Sequence, residues 1–164
     1  MWRFVRLFWK SIDVFLALLL AAMIAMVFTN VVLRYGFSSG MRQSVELARL
    51  LFVWVVMIGA AVTLRRGEHL ALSEFAETFA PRAIPLLRRL TWLVVLGAVA
   101  MLFQGTLKQV GANWNNISQL TGLPSALFYL AGAVSAVLMG FIAVIRLIDP
   151  MGVSRFLDME EGDT

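Results

Sequence analysis

The chain has 164 residues, of which 60% are hydrophobic and 15% are charged, and its mean hydropathy is +0.83. A water-soluble domain of this size cannot bury so much apolar side-chain surface, so the composition indicates a membrane protein. The absence of cysteine excludes disulfides, thiolate metal sites and a cysteine nucleophile. The net charge of +4 does not indicate a nucleic-acid partner, because the basic residues cluster at the ends of apolar stretches.

Four apolar stretches are long enough to cross a bilayer as helices. Residues 14–33 contain neither a charge nor a proline, and a helix rising about 1.5 Å per residue crosses the hydrocarbon core in about 20 residues. The other stretches are residues 45–64, 90–107 and 123–145. We therefore predict one all-α membrane domain, residues 1–164, with four transmembrane helices.

The first stretch follows a segment in which bulky apolar and basic side chains alternate. Tryptophan and long basic side chains favour the headgroup layer. We therefore predict lipid contacts for Trp2, Arg3, Arg6, Trp9 and Lys10. Because the core of a signal peptide is only about 7–15 residues long, we expect the longer first stretch to remain as a spanning helix.

Small residues recur every fourth position along the first and last stretches. Lipid tails are as apolar as leucine, so membrane helices associate by close packing of small residues. Both stripes therefore predict helix contacts, either within the chain or with another subunit. The residues are Ala17, Ala21, Ala25 and Thr29, and Gly132, Ala136 and Gly140.

Polar residues near the membrane boundary are candidate functional residues, because ionisable groups there are costly. Glu46 and Arg49 are three residues apart on one helical face, which is compatible with a mutual ion pair or with a contact to a second protein. Asn30 and Arg34 lie near the end of the first stretch, where an amide can bond to another helix. Trp54 lies deeper than an interfacial residue, so its indole N–H requires a buried partner.

Two connections and the tail have distinct patterns. Residues 70–80 place apolar side chains, including Phe75 and Phe79, on one face, which predicts a short amphipathic helix on the cytoplasmic membrane surface or against a partner. Residues 109–122 are uncharged and predict a loop. Residues 151–164 form an acidic tail that we expect to be solvated.

Arginine and lysine residues are distributed unequally between the two sides of the predicted membrane domain. Ten of the 14 lie in the N-terminal tail, the second connection and the C-terminal tail, and the other four lie in the first and third connections. Because positive residues concentrate on the cytoplasmic side, we predict that both termini are cytoplasmic.

The sequence contains no motif for catalysis or cofactor binding. The single histidine, His69, cannot provide bis-histidine haem ligation or a histidine-rich metal site. The four stretches also lack the acidic groups and broken helices that ion-coupled carriers place near the membrane midplane. We predict a non-enzymatic helper subunit without a cofactor. The alternatives are a membrane anchor of a respiratory enzyme and a small carrier that forms its own oligomer.

Five short motifs occur in order along the chain, and their order and spacing resemble the small membrane subunit of tripartite ATP-independent periplasmic (TRAP) transporters. They are Asn30-Val-Val-Leu-Arg34-Tyr35, Glu46-Leu-Ala-Arg49-Leu-Leu-Phe-Val-Trp54, Gly59-Ala-Ala, Arg66-Gly-Glu-His69-Leu and Ser118-Gln-Leu-Thr-Gly122-Leu-Pro124.

The resemblance implies an uptake system in a bacterial inner membrane. A periplasmic binding protein would deliver an organic acid, and a large membrane subunit would carry it inward by sodium symport. The small subunit would bind neither substrate nor sodium, and would brace the scaffold of the large subunit and help to dock the binding protein. The loop residues that the resemblance implies for this docking are Asn113, Trp114, Asn115 and Asn116. The residues that the resemblance implies for the contact with the large subunit are Asn30, Arg34, Glu46, Arg49, Trp54 and Gly59.

Overall fold

The computed structural model describes residues 2–37, 39–66 and 84–148, and side chains for residues 7–37, 39–65 and 89–147. Each described helix contains a stretch that is long and apolar enough to cross a membrane, and these residues form no strand beyond one isolated bridge. The predicted all-α fold with four membrane helices is confirmed. The helices are α1 (Trp2–Gly36), α2 (Arg42–Arg66), α3 (Ile84–Asn113) and α4 (Ala126–Ile148).

Several predicted features lie outside the described residues. The amphipathic helix at residues 70–80, with Phe75 and Phe79, and the acidic tail at residues 151–164 belong to this group. The side chains of Trp2, Arg3 and Arg6 also belong to it, so their predicted lipid contacts stay predictions.

The helix ends differ from the ends of the predicted apolar stretches, and three of the differences have a clear local reason or consequence. Helix α1 begins at Trp2, because no proline or glycine precedes residue 14 to interrupt it. Helix α3 continues to Asn113, so the first five residues of the predicted third loop are helical. Helix α4 begins at Ala126 rather than at residue 123, because the residues around Pro124 form a turn.

Only one narrow face of α1 is shielded from solvent, and we call this face the seam of α1. The covered positions are separated alternately by three and four residues, which is the spacing of a coiled-coil seam. All other described side chains of α1 are exposed, and none of its most apolar 18-residue window is buried. The covered residues are Trp9, Ile12, Leu16, Leu19, Met23, Met26, Asn30 and Leu33.

Trp9 corrects one sequence prediction. We predicted a lipid contact for this residue, but its side chain is buried because it lies on the seam of α1. It also contacts the ring of Phe8 edge-on, with ring centroids 5.6 Å apart. Lys10, the next residue, is exposed, and its lipid contact stays a prediction.

The chain divides into two compact units. The first contains Met1–Gly59 and Gln109–Ala131, and the second contains Ala60–Lys108 and Gly132–Thr164. In the second unit, Leu64, Trp92 and Ala143 form a buried apolar core. The prediction of a single membrane domain stays a prediction.

Arg146 caps the C-terminal end of α2 within the second unit. Its Nη2 donates a hydrogen bond to the main-chain oxygen of Arg65, a carbonyl in the last turn of α2 that has no acceptor role within its own helix. The guanidinium also lies over the ring of Trp92, 5.2 Å from its centroid. A basic group at this position also interacts favourably with the negative, C-terminal end of the dipole of α2.

The predicted small-residue stripe of α4 lies against α3 in the second unit. A Cβ atom at Gly132 would be only 2.7 Å from Cγ2 of Thr106, and one at Gly140 would be 3.6 Å from Cγ1 of Val99. Ala136, between them, is buried. Small residues therefore permit a close approach of the two helices at this stripe.

The stripe of α1 has a different environment. Its four residues are all exposed in the single chain, so the described residues do not pack against them, and their helix contact stays a prediction. They are Ala17, Ala21, Ala25 and Thr29.

Candidate functional site

The connection between α3 and α4 is a tight hairpin, which we define as residues 114–125. An isolated bridge pairs Ile117 with Pro124. Three backbone hydrogen bonds close the loop: Ser118 N–H to Leu123 O (3.0 Å), Gly122 N–H to Ser118 O (2.9 Å) and Ser125 N–H to Asn116 O (2.8 Å). This short connection therefore has a defined conformation.

Gly122 allows the sharp turn of the hairpin. Its φ angle is +71°, in the left-handed region where a Cβ atom would approach the following carbonyl. No other atom lies within 4 Å of the position that its Cβ would occupy, so the backbone angle alone requires glycine here.

Ser118 joins the hairpin to α2. Its hydroxyl donates a hydrogen bond of 2.7 Å to Oε2 of Glu46. The hydroxyl oxygen of Ser118 in turn accepts hydrogen bonds from the backbone N–H groups of Leu120 at 3.2 Å and Thr121 at 3.5 Å. A bond to an ionised carboxylate is stronger than one between neutral groups, so this contact fixes the hairpin to the first turns of α2.

Glu46 and Arg49 have different partners in the structure. Glu46 accepts the hydroxyl of Ser118, whereas the guanidinium of Arg49 lies 5.8 Å from the ring centroid of Phe128 on α4. Among the described side chains the mutual ion pair that we considered does not form, because each group reaches a neighbour on another part of the first unit. The side chain of Arg49 is exposed and is available to a second protein.

The connection between α1 and α2 is held by two side chains. Oδ1 of Asn30 accepts the N–H of Met41 at 2.9 Å, and the buried hydroxyl of Ser44 donates to the carbonyl of Met26 at 3.1 Å. Asn30 therefore acts within the chain, while its contact with a partner stays a prediction. Arg34 is exposed and lies 6.0 Å from the ring centroid of Tyr35.

Trp54 has the hydrogen-bond acceptor that its depth in α2 requires. Its Nε1–H donates to the main-chain oxygen of Leu127 on α4, at 3.2 Å. This acceptor belongs to another helix of the same chain, and it satisfies the indole N–H as the sequence analysis required.

Replacement of Trp54 with phenylalanine tests how much this hydrogen bond contributes to the stability of the fold. We expect a loss of about 0.5–1.5 kcal/mol of stability, because the aromatic packing is largely retained while the hydrogen bond is lost. Thermal unfolding of the purified protein in detergent measures the change. An equal loss in Trp114→Phe, a substitution at an exposed hairpin residue, would contradict this interpretation.

The predicted interface residues do not form one cluster within the chain. Glu46, Arg49 and Trp54 all contact the hairpin or the start of α4. Gly59 is half-buried, and nothing lies within 4 Å of the position that its Cβ would occupy. Arg34 lies in the last turn of α1, beside Gly40 of the connection to α2, and none of its described contacts reaches these three residues.

The hairpin presents apolar side chains that the sequence analysis did not single out. Ile117 is 59% exposed and Leu120 is 46% exposed, beside Trp114 at 56%. Of the predicted docking residues, Trp114, Asn115 and Asn116 are exposed. Asn113 instead ends α3, and its Nδ2 donates to the main-chain oxygen and to Oε1 of Gln109.

Sequence reasoning also missed Ser118 as the partner of Glu46. The available signal was a serine four residues before a glycine in an uncharged loop, since serine hydroxyls accept nearby N–H groups in turns. That signal predicts the local turn but not the carboxylate 72 residues away.

Comparisons with known proteins agree on one family. The profile for the DctQ component of tripartite ATP-independent periplasmic transporters matches residues 23–152. A protein of Haemophilus influenzae assigned as a TRAP transporter small permease protein is 32% identical over 139 residues, which cover 85% of this chain and 86% of the relative.

Two relatives from Vibrio cholerae have more specific names. The C4-dicarboxylate TRAP transporter small permease protein DctQ is 30% identical over 66% of this chain and 44% of its own length. The sialic acid TRAP transporter small permease protein SiaQ is 29% identical over 51% of this chain and 50% of its own length. With its four membrane helices, this chain is a multi-pass inner-membrane protein. It belongs to the DctQ component family of tripartite ATP-independent periplasmic transporters.

Proposed function

We propose that this chain is the non-catalytic small subunit of a sodium-driven uptake system for an organic acid, and that it braces the scaffold of the large transport subunit. The observation that carries the proposal is the exposed face of α1, whose most apolar window has no buried residue. A membrane helix that contacts its own chain along one narrow seam leaves most of its surface available to lipid and to a partner.

The distribution of charge supports a bracing role rather than a conducting one. Ion-coupled carriers place acidic groups near the midplane of the membrane. Glu46 lies near the start of α2, away from the middle of that helix. We therefore assign the sodium sites to the large subunit.

The proposed substrate class comes from the relatives. The names of the two Vibrio cholerae proteins specify C4-dicarboxylates and sialic acid, which are both organic acids. The small subunit lacks a described cluster that would select between them, so we assign the choice of acid to the binding protein and the large subunit.

The proposed orientation places the hairpin in the periplasm and both termini in the cytoplasm, in accordance with the distribution of arginine and lysine. The exposed residues Trp114, Ile117 and Leu120 would then face the periplasmic binding protein. A fixed hairpin loses little conformational freedom on binding, which favours a docking role.

Substitutions on α1 test the proposed contact with the large subunit. Ala21 and Ala25 are exposed in the single chain, so the double substitution Ala21→Leu and Ala25→Leu has room within this subunit. We expect it to reduce recovery of the co-expressed large subunit in affinity purification about tenfold, because bulky side chains would separate two closely packed helices.

The matched control is Ala22→Leu, since Ala22 is equally exposed but lies about 100° around the helix from Ala21. The control should leave recovery of the large subunit unchanged. Full recovery with the double variant, while the small subunit inserts normally, would show that lipid rather than the large subunit covers this stripe.

A further inference from the structure

A small cavity lies between the hairpin and α2 in the first unit. Its volume is about 10 Å³, and its lining includes Glu46, Thr121 and the apolar side chains of Leu50 and Phe128. A cavity of this size accommodates about one water molecule.

Thr121 provides the first polar group in this cavity. Its hydroxyl oxygen is buried and has no hydrogen-bonding partner among the described residues. An unsatisfied buried hydroxyl is costly, and in folded proteins such groups are nearly always satisfied by a protein group or by an ordered water. The backbone N–H of Thr121 donates to the hydroxyl of Ser118 at 3.5 Å, so the hairpin restrains the main chain that carries this hydroxyl.

Glu46 provides the second polar group. One of its carboxylate oxygens accepts a hydrogen bond from the hydroxyl of Ser118. An ionised carboxylate can accept about four hydrogen bonds in total. It therefore accepts a further hydrogen bond without losing the first. A buried water requires two to four polar partners, and these two side chains supply the minimum.

We propose that this cavity binds one water molecule, which accepts a hydrogen bond from the hydroxyl of Thr121 and donates a hydrogen bond to the carboxylate of Glu46. The water forms a second connection between the hairpin and α2, beside the direct bond from Ser118. A metal cation fits less well, because hard cations require about six oxygen ligands, and the side chains that line the cavity supply only those of Glu46 and Thr121.

The substitution Thr121→Val tests the proposal, because it replaces the hydroxyl with a methyl group of similar size. We expect the backbone amides of residues 118–125 to exchange with deuterium roughly fivefold faster, since one water-mediated connection is lost. The measurement uses the full chain purified with its membrane partner. Unchanged or slower exchange would mean that the valine removed an unsatisfied hydroxyl from a dry cavity, and would overturn the proposal.

Two controls separate the hydroxyl from the methyl group. Thr121→Ser retains the hydroxyl, so its hairpin should exchange at the wild-type rate; exchange as fast as in Thr121→Val would attribute the effect to packing and overturn the proposal. Thr29→Val makes the same change on exposed α1, where the hydroxyl bonds to the carbonyl of Ala25 at 2.7 Å, and should leave the hairpin unaffected.

The same measurement in sodium chloride and in choline chloride distinguishes water from a cation. We expect equal exchange of the hairpin amides in the two salts. Slower exchange in sodium chloride that is present in the wild type and absent in Thr121→Val would assign the cavity to sodium, and the water proposal would be wrong.

Discussion

Substitution of Ser118 with alanine is expected to release the hairpin from α2. The variant loses the 2.7 Å bond to Glu46 and the acceptor for two backbone N–H groups. A hydrogen bond to a charged group contributes about 1.5–3 kcal/mol, so the hairpin should open about 10 to 100 times more often. Chymotrypsin cleavage after Trp114 or Leu120 measures this opening, because proteolysis follows the open population when closing is fast.

Ser11→Ala is the matched control for this experiment. Ser11 is an exposed serine of α1 whose hydroxyl bonds to the carbonyl of Leu7 within the same helix, at 2.8 Å. Its removal should leave cleavage of the hairpin unchanged. Ser118→Thr retains a hydroxyl and should remain close to the wild type. Wild-type cleavage of the Ser118→Ala variant would contradict the role of this serine as the link between the hairpin and α2.

Substitution of Gly132 with alanine is expected to disturb the contact between α3 and α4. The added Cβ would be 2.7 Å from Cγ2 of Thr106, a distance that requires a neighbour to move. Thr106 cannot easily rotate away, because its hydroxyl bonds to the carbonyls of Leu102 at 2.8 Å and Phe103 at 3.0 Å. Overpacking of this kind costs about 1–3 kcal/mol, measured as a lower midpoint of thermal unfolding in detergent.

Two further variants make this measurement specific. Gly105→Ala adds the same methyl group to α3 where nothing lies within 4 Å, so its unfolding midpoint should not fall. Thr106→Ser removes Cγ2 and keeps the hydroxyl, so combining it with Gly132→Ala should restore most of the lost stability. If the double variant is as unstable as Gly132→Ala alone, the clash with Thr106 is not the cause.

The membrane helices were predictable because the bilayer imposes a length and a hydropathy that the sequence shows directly. Trp54 illustrates how far this reasoning extends: its depth required an acceptor for the indole N–H, and Leu127 on α4 provides one. The identity of that acceptor was not predictable, because it depends on how α2 and α4 pack.

Two side-chain environments depend on tertiary packing rather than on composition. Trp9 has the sequence context of a lipid-facing tryptophan, yet the register of the α1 seam buries it. Glu46 has Arg49 one turn away, yet it bonds to Ser118 because Gly122 allows the hairpin to fold back. Helical spacing alone predicts neither which face of α1 is buried nor that the hairpin folds back onto α2.

The two small-residue stripes show why a contact within the chain cannot be distinguished from a contact with a partner by sequence. The small residues Ala17, Ala21 and Ala25 have the pattern of a helix contact, but they are exposed in the single subunit. The equivalent pattern at Gly132 has Thr106 of the same chain against it. Sequence cannot separate the two cases, because close packing requires the same residues whichever chain provides the neighbour.

The length of α1 has a consequence for where its N-terminal end lies. Its uncharged stretch, residues 14–33, measures about 30 Å at 1.5 Å per residue, which equals the thickness of a typical hydrocarbon core. The helix continues without a break to Trp2, so about 18 Å of the same rod extends past the hydrocarbon core at this end. Because the headgroup layer on each side of a bilayer is only about 5–8 Å thick, an upright α1 carries its first turns through the headgroups and into the adjoining water.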